Sequence, residues 1–143
     1  MDADQIAKPA RAHIQLFATA ESAPLRWRLL SGNNRELGRG TGEFDDLVSC
    51  RAGIAHLQAV LGELEPRVHR CGSNHWTWSL ALAGVPVAIS GAQQARLIRC
   101  RQGLAQFVAQ FAHSTIGTSV MFSHSRRWAG VPGSGLIDAR GRS

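Results

Sequence analysis

The chain has one lysine, Lys8, three cysteines and no long apolar run in its 143 residues. With no stretch of about 18 apolar residues, a membrane-spanning helix is not expected. Its first residues, Met1-Asp2-Ala3-Asp4, lack a basic segment followed by an apolar one, so no secretion signal is read and the cytoplasm is the expected compartment. An odd number of cysteines does not make a paired framework. Cys50 and Cys100 fall on apolar helix positions, which fits free buried thiols in a reducing compartment.

Signatures of chemistry are also missing. The carboxylates offer no pair at a spacing suited to acid/base work, and Asp45-Asp46 reads as helix capping. Gly38-Arg39-Gly40-Thr41-Gly42 lacks the Gly-Lys-Ser/Thr ending of a phosphate loop and reads as a turn. Neither catalytic residues nor a cofactor are expected.

What is present is arginine. Sixteen basic residues face ten acidic ones, for a net charge of +6, and all the basic residues but Lys8 are Arg. Guanidinium groups bind phosphate and carboxylate through paired hydrogen bonds, so a polyanion partner stays open. The apolar share of 44 % describes a globular chain with enough residues for one core.

The strongest pattern is a register that recurs after fifty residues. Leu47, Cys50, Arg51, Gly53, Ile54, Leu57 and Leu61 are answered by Leu97, Cys100, Arg101, Gly103, Leu104, Phe107 and Phe111. Upstream of each set stands a Trp-containing strand, Arg26-Trp27-Arg28-Leu29 and Thr77-Trp78-Ser79-Leu80. Such a period predicts two copies of one strand-and-helix unit.

Alternation predicts strands at 13–17, 25–29, 35–41, 67–71, 76–82, 85–89 and 116–122. Apolar residues at three- and four-residue steps predict helices over 47–61 and about 93–113. Gly62 and Pro66 are expected to end the first helix, and Pro86 to mark a sheet edge or a strand start. The expected fold is α+β: two tandem strand-strand-strand-helix units forming one antiparallel sheet, both helices on one face, with an extra strand at 115–122. Residues 1–12 are expected as a tail, 13–66 as the first unit, 67–122 as the second, and 123–143 as a second tail.

These segments carry a resemblance. Arg26-Trp27-Arg28-Leu29 with Ser49-Cys50-Arg51-Ala52-Gly53-Ile54, and Trp76-Thr77-Trp78-Ser79-Leu80 with Arg99-Cys100-Arg101-Gln102-Gly103-Leu104, resemble the YegP-like family of small proteins of uncharacterised function. The resemblance spans about residues 13–122. It implies tandem units of three strands, a helix and a final strand exchanged between units within one sheet. The span from Leu64 to Val68 is too short for both an exchanged strand and the next unit's first strand, so only Ile116 to Phe122 can supply an exchange.

Among candidate sites, His69, Cys71 and His75 are the best metal set, but no spacing places a fourth ligand and an exposed hairpin is the expected reading. Cys50 and Cys100 are expected in the core rather than as nucleophiles. If Trp27 and Leu29 face the helices, Arg26 and Arg28 point to the other sheet face, where Arg35 and Arg39 extend a basic patch and Arg126 and Arg127 add charge from the tail. These six arginines are the candidate polyanion site. The expected function is a non-enzymatic cytoplasmic binding or assembly protein, its partner an unidentified protein or a second copy, with no membrane contact. A nucleic-acid-binding module is the alternative, and a metal protein or enzyme a weaker one.

Overall fold

The computed structural model describes residues 11–122. In chain order these form β1 (His13–Ala18), β2 (Arg26–Leu30), β3 (Glu36–Gly40), α1 (Leu47–Ala59), a 3-10 turn (Leu61–Glu63), β4 (Glu65–Cys71), β5 (His75–Leu82), β6 (Val85–Ser90), α2 (Leu97–Phe111) and β7 (Thr115–Phe122). The strands make one sheet in the order β4-β5-β6-β3-β2-β1-β7.

The sheet is mixed, which corrects the expectation of an antiparallel one. Five pairings are antiparallel, but β7 runs parallel to β1, pairing Ile14 with Ile116 and Leu16 with Val120. A strand that leaves α2 and crosses to the far edge arrives in the direction of β1, and connections that include a helix permit parallel pairing. Gly117 lies at the irregularity in this pairing, where a Cβ would come within 3.0 Å of the Ile14 carbonyl oxygen.

Alternation along the strands sends Ile14 and Leu16, Trp27 and Leu29, and Trp78 and Leu80 to the helix side, where they are buried with Cys50 and Ile54 of α1 and Cys100, Phe107 and Phe111 of α2. α2 lies over the middle of the sheet. Phe107 packs on both tryptophans, with centroids 6.5 Å from Trp27 and 4.9 Å from Trp78, and Phe111 lies 5.3 Å from Trp27. β3 makes room with glycine: a Cβ at Gly38 would stand 2.6 Å from the Phe107 ring, and one at Gly40 would run into the Trp27 indole.

Two local readings change and two are narrowed. α2 begins at Leu97 rather than near Gln93, because Gln94 and Trp76 exchange backbone hydrogen bonds of 2.7 and 2.9 Å in the way Phe44 and Leu25 do. The α1 cap is Asp46, whose Oδ1 accepts from the Ser49 amide at 2.7 Å. Pro66 sits inside β4, which is an edge strand and tolerates the missing N–H, and the 3-10 turn ends α1 instead. Pro86 is the second residue of β6, an interior strand, so of its two expected positions it takes the strand start and not the sheet edge. No helix among the described residues is long and apolar enough to cross a membrane.

Candidate functional site

Three regions outside the core place polar or unpartnered groups together. The first is the sheet face turned away from the helices. Arg26 and Arg28 of β2 and Arg39 of β3 lie there, since Arg28 stands opposite Arg39 and both alternate with residues that face the helices. The face is less basic than its arginines suggest. Glu36 takes a two-pronged ion pair from Arg39, at 2.7 and 3.0 Å, and stands 3.6 Å from Arg28. Arg28 also donates to Gln15 Oε1 at 2.8 Å, and its guanidinium lies 5.0 Å from the centre of the Phe17 ring. Arg26 is the exception, with a buried Nε that has no hydrogen-bond partner among the described residues.

Arg35 precedes β3 and does not share this network. Its backbone closes a turn with Ser31, and its side chain lines a cleft described below. Arg126 and Arg127 lie outside the described residues.

The metal candidates stand on this same face of β4 and β5, but their hydrogen bonds go elsewhere. His69 Nε2 lies 3.0 Å from Ser79 Oγ, and Cys71 Sγ 3.2 Å from Thr77 Oγ1. No group of three His, Cys, Asp or Glu side chains is arranged to hold a metal ion among the described residues. Cys50 and Cys100 are buried under the helices. Burial pushes the Cys50 thiol up to about 11 and raises Cys100 as well, so both stay protonated at neutral pH and neither is an activated nucleophile.

The second region is a cleft of about 390 Å3 where α2 passes the ends of β3 and β6. Trp78 and Gly103 meet at its inner wall, Gln94, Gln102 and Gln106 supply amides, and Arg35 and Arg99 are exposed along it. The corresponding place beside α1 is closed. There the Phe44 ring covers Gly53, so that a Cβ at 53 would come within 2.7 Å of Phe44 Cε1, whereas one at 103 would meet only Trp78 Nε1, at 3.6 Å. Gln94 makes the same backbone bridge as Phe44 but brings no ring.

The third region is the outer edge of β4. β1 has β7 alongside it, and Arg51 of α1 donates to the Gly117 carbonyl of that strand at 3.0 Å. Among the described residues β4 has no neighbour beyond it. A largely apolar groove of about 530 Å3 runs there, between the start of β4 and α2, lined by Leu64, Pro66, Leu104, Val108 and Arg101 among others. Arg101 of α2 follows Arg51 of α1 by fifty residues, the spacing of the sequence register.

Sequence reasoning missed both the groove and the cleft. The one signal for the cleft was the pairing of Phe44 with Gln94 in the fifty-residue register.

The arrangement has known counterparts. The solution structure of yegP from E. coli, a protein of unknown function, matches with a TM-score of 0.59 over 78 % of this chain and 95 % of that one, at 16 % identity. The fold is YegP-like. A second solution structure, a UPF0339 protein from Shewanella oneidensis, matches with a TM-score of 0.59 over 73 % of this chain and 88 % of its own, at 12 % identity. At these identities the likeness is one of fold. No family model matches the sequence, and no curated protein matches it either.

Proposed function

We propose that this YegP-like chain is a non-enzymatic cytoplasmic binding or assembly protein, built from two related units, that accepts an extended segment of another chain along β4. One observation carries the reading: β1 is flanked by a parallel strand anchored through Arg51, while β4 presents an open edge, an apolar groove and Arg101. Strand addition gives affinity through main-chain hydrogen bonds and specificity through alternate side chains. Pro66, Arg67 and Arg70 on β4 discourage indiscriminate edge pairing, so the groove and Arg101 do the selecting.

The test uses a peptide of residues 114–122, the segment that fills the corresponding place on β1. Added to the isotopically labelled protein, it is expected to shift and protect the amides of β4, and Arg101→Glu is expected to weaken that response. Shifts confined to β1, or none at all, would refute strand acceptance at β4.

A second reading is a polyanion-binding sheet face formed by Arg26, Arg28 and Arg39, with Arg126 and Arg127, outside the described residues, as further contacts. Arg26 favours it, because it forms no ion pair among the described residues. Glu36 weighs against it, because it already engages two of the three guanidiniums. Retention on DNA at low salt, lost in the Arg26→Ala, Arg28→Ala double variant, is the expected outcome of this reading.

A further inference from the structure

We propose that the cleft between α2 and the ends of β3 and β6 is a binding site for a small molecule bearing an oxyanion, a carboxylate or a phosphate. The inference is independent of strand acceptance at β4, which lies on the opposite flank of the β5–β6 hairpin.

Phe44 and Gln94 hold matching places: each exchanges two backbone hydrogen bonds with a residue at the start of a Trp-containing strand, and Phe44 lies against Gly53 while Gln94 and Gly103 both line the cleft. Phe44 fills the space over Gly53. Gln94 leaves the space over Gly103 open, and the result is a cleft of about 390 Å3, within the range that small-molecule sites occupy. A glutamine at that place forfeits the packing that an aromatic ring supplies at the other.

The lining then indicates the ligand. Arg35 and Arg99 are both exposed on the cleft, and neither forms an ion pair among the described residues. This contrasts with Arg28 and Arg39, which are tied to Glu36. Glu36 also borders the cleft, but its carboxylate is engaged by those two arginines, so the free charge offered to a ligand is positive. Uncommitted guanidiniums select oxyanions through paired, charge-assisted hydrogen bonds. Three glutamine amides, from Gln94, Gln102 and Gln106, and the hydroxyl of Ser90 can satisfy the polar body of such a molecule. Trp78 hydrogen-bonds outside the strand ladder only through its backbone N–H, to Ser90 Oγ at 3.4 Å, which leaves the indole N–H beside Gly103 unengaged among the described residues.

The test follows the Trp78 indole N–H resonance of the full chain, titrated with phenyl phosphate, benzoate and the neutral benzamide. Phenyl phosphate, benzoate or both are expected to move the resonance saturably, while benzamide does not; which acid binds tells phosphate from carboxylate. Arg35→Ala and Arg99→Ala are each expected to weaken binding about tenfold, the loss of one charge-assisted contact. Gln94→Phe, which rebuilds the closure found at Gly53, is expected to abolish the response in a folded protein. Should Gln94→Phe fail to fold, the exposed Arg99→Glu reversal decides instead and is expected to abolish binding of the acids. A response to benzamide equal to that of the acids would overturn the oxyanion assignment while leaving a cleft that binds. No saturable response to any of the three probes, or full binding by Gln94→Phe, would overturn the site itself.

Discussion

The Trp27 indole lies directly against Gly40, so that a Cβ on residue 40 would clash with its Nε1, Cε2 and Cζ2 atoms. Trp27 is buried and stacked on Phe107 and Phe111, which leaves it nowhere to move. Gly40→Ala is therefore expected to destabilise the protein by about 1–3 kcal/mol, the usual penalty for an overfilled core. Gly62→Ala, where a Cβ meets nothing within 4 Å, serves as the control and should change stability little. Urea unfolding followed by far-UV circular dichroism measures both, and equal midpoints for the two variants would contradict the packing described.

The two helix glycines part company in the same kind of experiment. Each forgoes about 1 kcal/mol of helix propensity relative to alanine. Gly103→Ala places its methyl at an ordinary contact distance, 3.6 Å from Trp78 Nε1, so most of that propensity is recovered and the variant should be more stable than the parent. At Gly53 the new methyl lies 2.7 Å from the half-buried Phe44 ring, which must be displaced, and the variant should be less stable. Opposite signs are the expected outcome. The same sign for both would mean that Phe44 does not close the space over α1.

Much of this architecture is legible from the residues. Trp27 and Trp78 alternate with polar neighbours, and the Cys50–Ile54 and Cys100–Phe107 stripes keep helical spacing, so strand and helix assignments follow from period alone. What period cannot show is who sits beside whom. Glu36 stands opposite Leu30 only because the β2–β3 pairing shifts between Leu29 and Leu30, and that shift brings its carboxylate to Arg28 and Arg39. The parallel arrival of β7 likewise depends on where a connection crosses the sheet. Gln93 to Arg96 reads as the first turn of a helix, but the backbone bonds of Gln94 are taken by Trp76, a partner eighteen residues earlier. The cleft was missed for the same reason: it is defined by a ring that is absent.

The thiols should sort by burial. Cys71 is half-buried on β4, whereas Cys50 and Cys100 lie in the core, and burial raises both of the latter. Titration of the native protein with an aromatic disulfide at pH 8 should modify Cys71 first, with Cys50 and Cys100 following only as the protein unfolds. Adding denaturant should release them together. Fast modification of all three in the native state would place the α1 and α2 stripes outside the core.

Asp46 gives a pH signature. The amide and hydroxyl of Ser49 both donate to its carboxylate, which holds its pKa below the ordinary 3.8. A carboxyl whose pKa is lowered on folding contributes stability that is present above the unfolded value and lost as pH falls through the folded one. Asp46→Ala should thus lower the melting temperature at pH 7. The difference from the parent should narrow below about pH 4, where the parent loses its charged cap as well. A gap that stays constant down to pH 2 would show that the charge on Asp46 is irrelevant to the α1 cap.

Glu36 decides how much of the basic sheet face is available. Its carboxylate engages Arg28 and Arg39, and the residue is itself mostly shielded from solvent. Glu36→Gln keeps the shape and removes the charge, which frees two guanidiniums on a face that already carries Arg26. If the face binds polyanions, the variant should be retained more strongly on immobilised DNA at low salt. Each freed arginine that reaches a phosphate steepens the logarithmic salt dependence by about 0.9, so the slope should increase by up to roughly two. Arg26→Ala in the Glu36→Gln background should then reverse part of the gain, because Arg26 stands on the same face and forms no ion pair among the described residues. Unchanged retention in Glu36→Gln would show that the arginines on this face serve the sheet through Glu36, Gln15 and Phe17 rather than a phosphate backbone.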